Sequence, residues 1–98
     1  MWYTLKDKVP VEATAKEYSK WRKKNNRHVL DDEGNGIRVS TVFLGQGCAY
    51  GGCEPVLFET MIFGGKFDKE RRRYTTWEEA EAGHKKSLKL TGLNHENT

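Results

Sequence analysis

Two β-patterned runs on either side of a glycine-rich segment constrain this chain more than any other feature. The first is Ile37-Arg38-Val39-Ser40-Thr41-Val42-Phe43-Leu44 and the second is Val56-Leu57-Phe58-Glu59-Thr60-Met61-Ile62-Phe63. β-Branched and aromatic residues at this density suit the pleated, half-buried surface of a sheet. Each run holds a single charge, Arg38 or Glu59, while charges crowd the flanking segments. The runs predict an antiparallel hairpin at the centre of a sheet, with Phe43, Leu57 and Phe58 in the core. The connecting segment runs from Gly45 to Pro55 and contains Cys48, Tyr50 and Cys53.

The flanks supply the remaining elements. Trp2 to Val11 reads as a small hairpin turning at Lys6-Asp7-Lys8, with Pro10 holding its second arm to an edge position. Thr14-Ala15-Lys16-Glu17 and Thr76-Trp77-Glu78-Glu79 both have the spacing of a capping box, in which hydroxyl and carboxylate satisfy backbone N–H groups reciprocally. They predict a shorter helix over Ala15–Lys24 and a longer one after Thr76. The later helix carries Glu78, Glu79 and Glu81 early and Lys85, Lys86 and Lys89 late, which complements its macrodipole. Trp77, Ala80, His84 and Leu88 share one side of it and form the face expected to dock on the sheet. Arg27 to Leu30 reads as a short strand, Asp31 to Gly36 as a turn, and Arg72-Arg73-Tyr74 as a further short strand. The fold class expected is α+β: a small, mostly antiparallel sheet with the C-terminal helix packed on one face and a shorter N-terminal helix. Residues 1–90 form the single domain expected and 91–98 a polar C-terminal tail that frays.

At 98 residues the chain makes one domain, and at this size about 60–65% of the unfolded surface is buried, so a homo-oligomer would add stability. Lys and Arg total 17 against 14 Asp and Glu, a formal net charge of +3. That balance suits a soluble protein better than a dedicated polyanion binder. No apolar run approaches the ~20 residues of a membrane span, and the first residues lack a signal peptide's basic start and apolar core. A cytoplasmic location in a host cell and no membrane partner are expected. In a reducing compartment Cys48 and Cys53 are read as two free thiols, with a short-loop disulfide left open. Zinc needs about four ligands, and His28, His84 and His95 are too scattered to join the cysteines, so no metal and no cofactor are expected.

Three ordered strings resemble a family of small uncharacterised bacteriophage and prophage proteins. They are Ser40-Thr41-Val42-Phe43-Leu44-Gly45, then Leu57-Phe58-Glu59-Thr60-Met61 with Phe63-Gly64-Gly65, then Tyr74-x-Thr76-Trp77-Glu78-Glu79-Ala80-x-x-Gly83-His84. With the Trp2-Tyr3 start and its Val-Pro turn, the resemblance spans nearly the whole chain. Members of that family carry an Asp-His pair after the glycine matching Gly45, where this chain has Gln46-Gly47-Cys48. The resemblance implies phage origin and no particular activity.

The candidate site residues each have a bland alternative. An even register sum between the two core runs would turn Glu59 to the same face as Val39, Phe43, Leu57, Met61 and Phe63. A carboxylate buried there needs a partner or a raised pKa, either of which marks a site. The favoured reading is a solvent-facing Glu59, or a structural bridge to Arg38 or Arg72. His84, beside Gly83 on the apolar side of the last helix, is read first as a core histidine donating one hydrogen bond. The sharper reading pairs it with Glu59 as acid and base. The Gly45–Pro55 loop offers backbone freedom and a stacking face at Tyr50. It follows no phosphate-loop pattern, since no Lys-Ser/Thr comes after it and no helix opens there.

Lys20, Arg22, Lys23, Lys24 and Arg27 form one basic cluster around Trp21, and Lys69, Arg71, Arg72 and Arg73 form another beside Tyr74. Together they could follow a phosphate backbone, with Trp21 or Tyr74 stacking a base. A solvated face or protein-docking patch is favoured because acidic clusters at Asp31-Asp32-Glu33 and Glu78-Glu79-Glu81 dilute the field. The function expected is therefore a non-enzymatic, phage-encoded binding protein that engages a host or phage protein. Inhibition of host defence or nucleic-acid-processing machinery is the role that small phage proteins of this kind suggest. Direct nucleic-acid binding through Lys23, Arg72 and Arg73 is one alternative. Small-ligand or nucleotide binding at the glycine loop, with Glu59 and His84 beneath it, is the other.

Overall fold

A computed structural model describes residues 2–46 and 56–93. Tyr50, Cys48 and Cys53 lie outside the described residues, and so does His95. The elements are β1 (Trp2–Lys6), β2 (Val9–Ala13), α1 (Ala15–Lys24), β3 (His28–Gly34), β4 (Ile37–Phe43), β5 (Phe58–Phe63), β6 (Arg71–Tyr74) and α2 (Trp77–Thr91). β1 and β2 pair as a two-stranded ribbon, and the others form a four-stranded antiparallel sheet in the order β3-β4-β5-β6. This is an α+β fold with α2 packed across the sheet. No helix among the described residues is long and apolar enough to cross a membrane.

Register decides which side chains meet the helix. β4 and β5 pair Phe43 with Phe58, Thr41 with Thr60 and Val39 with Ile62. Directly opposed residues share a face and alternate residues change face, so these six point together, and none is more than 1% exposed. The register sum is odd, which removes the alternative that turned Glu59 towards Val39 and Phe43 and agrees with the favoured solvent-side reading. Glu59 is paired with Val42 on the other face, away from Val39 and Phe43. The expected core of Phe43, Leu57 and Phe58 is present, at 0%, 2% and 0% exposure.

Strand β3 is longer than expected. Asp31-Asp32-Glu33 lies inside it, and the reversal into β4 is the two-residue turn Asn35-Gly36, with φ of 51° and 76°. Positive φ at both positions defines the turn type whose twist matches flanking strands, and Asn-Gly is its preferred pair. The acidic run survives as strand because β3 is an edge, where charged side chains also block further strand addition.

Both capping boxes form, Thr14 with Glu17 and Thr76 with Glu79. α1 is anchored by Tyr18 and Trp21. Ring contacts run from Trp2 through Tyr18, Trp21, Phe43 and Phe58 to Trp77, at 4.7 to 6.3 Å between successive centroids. That ladder joins the ribbon, α1, the sheet and α2 into one core.

The end of α2 departs from the expected fraying tail. Leu93 N–H donates to the Leu88 carbonyl at 2.8 Å and Gly92 N–H to that of Lys89, the paired bonds of a Schellman cap. Leu93 is 4% exposed and packs with Val39 and Ile62. The folded unit therefore reaches at least residue 93.

Candidate functional site

Four polar side chains meet between α2 and the sheet. His84 is fully buried. Its Nδ1 lies 2.6 Å from Thr41 Oγ1, its Nε2 lies 2.8 Å from Asp32 Oδ2, and Thr41 Oγ1 lies 2.5 Å from Thr60 Oγ1. The carboxylate can only accept, so Nε2 carries a proton and donates to Asp32. With a neutral ring, the Thr41 hydroxyl donates to Nδ1 and the Thr60 hydroxyl donates to Thr41. Every side-chain polar group of this four-residue network is then hydrogen-bonded, which offsets the cost of burying them. Thr41 and Thr60 come from the first two sequence strings and His84 from the third. The strings thus converge on one structural network.

The order nucleophile, histidine, carboxylate is also that of a hydrolytic relay. Burial argues against that use here. Thr41 is 0% and Thr60 1% exposed, so a substrate carbonyl has no approach to Oγ1. Sequence reasoning misses Asp32 because the Asp31-Asp32-Glu33 run reads as a turn. The Asn35-Gly36 signal, given its full weight, would have extended β3 over Asp32 and placed its side chain, opposite Val39, beneath the helix.

Glu59 and His84 lie on opposite faces of the sheet, which removes them as an acid–base pair. Glu59 Oε2 instead accepts from Arg73 Nε at 2.9 Å, with the glutamate side chain 15% exposed and the arginine 59%. It is a structural bridge, to Arg73 rather than to Arg38 or Arg72. Arg38 forms a two-point pair with Asp31 at 3.0 and 2.9 Å, and these bonds hold the Asp31 carboxyl below the usual carboxylate range.

These pairs stand on the face opposite α2. On it are Asp31 and Glu33 of β3, Arg38, Ser40 and Val42 of β4, Glu59, Met61 and Phe63 of β5, and Arg71 and Arg73 of β6, as alternation and register require. Phe63 is 39% exposed, and the Arg38 guanidinium sits 5.9 Å from its ring centroid. No described helix packs on this face, since α2 crosses the other side and α1 contacts the ribbon.

The basic clusters separate into different settings. Arg73 is held by Glu59, and Arg72 pairs loosely with Glu70 at 3.5 Å. Lys23 is exposed on α1 and has no ion pair among the described residues. Both aromatics proposed to stack a base are packed against neighbours. Trp21 stands edge-on to Phe43 at 5.5 Å, and the Tyr74 hydroxyl end abuts Gly83. Among the described residues, no group of three or more His, Cys, Asp or Glu is disposed to hold a metal ion. Comparison of the chain with protein-family models, curated proteins and solved structures returned no match.

Proposed function

We propose that this chain is a non-enzymatic, phage-encoded binding protein that docks a host or phage protein on the face of its four-stranded sheet opposite α2. The observation that carries the reading is the make-up of that face. Phe63, Met61 and Val42 form a short apolar line flanked by the pairs Asp31–Arg38 and Glu59–Arg73. Apolar side chains within a rim of both signs of charge match the anatomy of a protein interface. A phosphate backbone calls for unneutralised cations along a track, whereas two of the arginines on this face are held by carboxylates. The bacteriophage origin rests on the three sequence strings. Inhibition of host defence or of nucleic-acid-processing machinery is the role proposed with it.

The test is affinity capture from phage-infected cells with mass spectrometry, followed by binding of the purified partner. Wild type and Phe63→Glu are compared, with melting temperature as a check on folding. A stoichiometric protein bound by wild type and lost in a folded Phe63→Glu supports the proposal. Recovery of nucleic acid instead, with affinity falling steeply as salt rises and weakened by Lys23→Glu, would replace it with direct nucleic-acid binding. Binding of the partner unaffected by Phe63→Glu would move the interface off this face.

A further inference from the structure

A cleft of about 330 Å³ opens between α2 and the edge strand β6, lined by Arg72, Tyr74, Glu79, Ala82, Gly83 and Lys86. It lies on the helix side of the sheet, since Arg72 is opposite Thr60, and is separate from the face opposite α2. Its size is at the lower end of small-molecule sites. Glu79, Ala82, Gly83 and Lys86 recur at helical spacing along one side of α2. Tyr74 packs its hydroxyl end against Gly83, where a Cβ would fall 2.1 Å from the tyrosine hydroxyl. The hydroxyl is buried and has no hydrogen-bond partner among the described residues, so a residue lining the cleft keeps a donor to spare.

The charges favour an anion. Arg72 and Lys86 contribute two cations. Against them stands Glu79, whose Oε1 accepts from Thr75 N, Thr75 Oγ1 and Thr76 N. Those bonds hold it ionised and tie it to the helix cap, with the Thr75 hydroxyl the leading cause. The Arg72–Glu70 contact is long and exposed, the kind of pair that contributes little and exchanges readily.

We infer that this cleft binds a small organic anion, its apolar body against Tyr74, Ala82 and Gly83 and its carboxylate or phosphate between Arg72 and Lys86. The apolar walls distinguish it from a site for a bare inorganic ion. The cations distinguish it from one for a neutral aromatic.

The experiment is a titration of the full chain with benzoate, phenyl phosphate, benzamide and inorganic phosphate, followed by amide chemical shifts. Benzoate or phenyl phosphate should give saturable shifts confined to β6 and the middle of α2, centred on Gly83. Benzamide and inorganic phosphate should each bind at least tenfold more weakly. The better of the two organic anions identifies the acidic group. Arg72→Gln and Lys86→Gln should each weaken binding about tenfold with the melting temperature preserved, and Tyr74→Phe should weaken it less. Two results would overturn the inference. One is no saturable shift at millimolar ligand. The other is shifts spread equally over Lys20, Lys23 and Lys24, which would be general attraction to positive charge. Phe63→Glu should leave this binding unchanged, so the outcome is independent of the partner proposed for the other face.

Discussion

The two faces of the four-stranded sheet are built from alternate residues of the same strands, yet they treat polar groups in opposite ways. Beneath α2, Thr41, Thr60 and His84 are dry and each is hydrogen-bonded within one chain ending on Asp32. On the other face, Asp31–Arg38 and Glu59–Arg73 are ion pairs in contact with water. A buried group left without a partner costs far more than a satisfied one gains, so the dry network penalises every other register. Sliding β5 by two residues would keep the faces but set Thr41 opposite Phe58 or Ile62 and carry the Thr60 hydroxyl away from its acceptor. The wet pairs impose no such penalty, because water replaces either partner. One face therefore specifies the fold, and the other is free to serve a partner.

Truncating one phenylalanine on each side of β5 tests that division most severely. Phe58→Ala should cost about 3–5 kcal/mol, since the ring is fully buried between Phe43 and Trp77. Phe63→Ala, five residues along on the exposed face, should stay within about 0.5 kcal/mol of wild type. Urea denaturation measures both. Equal losses would mean that the second face is covered in solution and would point to self-association.

Neighbouring aspartates offer a sharper version. Asp32→Ala removes the acceptor of the buried His84 Nε2–H and should cost about 1–3 kcal/mol. Asp31→Ala breaks only the exposed pair with Arg38 and should cost at most about 1 kcal/mol. A reversed order, read from the same denaturation midpoints, would show that the His84 network is not what holds α2 to the sheet.

Much of the architecture was legible because local signals and burial agreed. The capping boxes at Thr14 and Thr76 placed both helix starts, and the Phe43 and Phe58 runs placed the core. The register was not legible. A one-residue slip exchanges the faces of a strand, and Val56–Phe63 has large apolar residues at both parities, so Glu59 could be drawn on either side. What settles it is the polar set Thr41, Thr60, His84 and Asp32, which satisfies itself in only one register. That set was hidden because the Asp31-Asp32-Glu33 run looks like a solvated turn in isolation. Likewise Leu93 looks like part of a polar tail until the Gly92 cap folds it back onto Val39.

The smallest effect predicted is a pH dependence that arises at the wet face and the helix caps. Hydrogen bonds from Arg38 lower the Asp31 pKa, and cap hydrogen bonds lower those of Glu17 and Glu79, with the Thr14 backbone N–H the leading cause for Glu17. A carboxyl whose folded pKa lies below its unfolded value stabilises the protein above the unfolded pKa. That contribution is lost as pH falls through the folded pKa. Stability should therefore hold through neutral pH and decline below about pH 4, where the unfolded carboxyls begin to bind protons. Comparing wild type with Asp31→Asn isolates one share of it. The wild type should be the more stable at pH 7, and the gap should close as pH falls towards about 2.5, because protonation removes from Asp31 the same charge that the substitution does. Added salt should narrow the gap at pH 7 as well, since this pair is exposed to screening. A gap that persists unchanged at low pH would mean that Asp31 acts through packing or strand propensity, and the wet face would then share in specifying the fold.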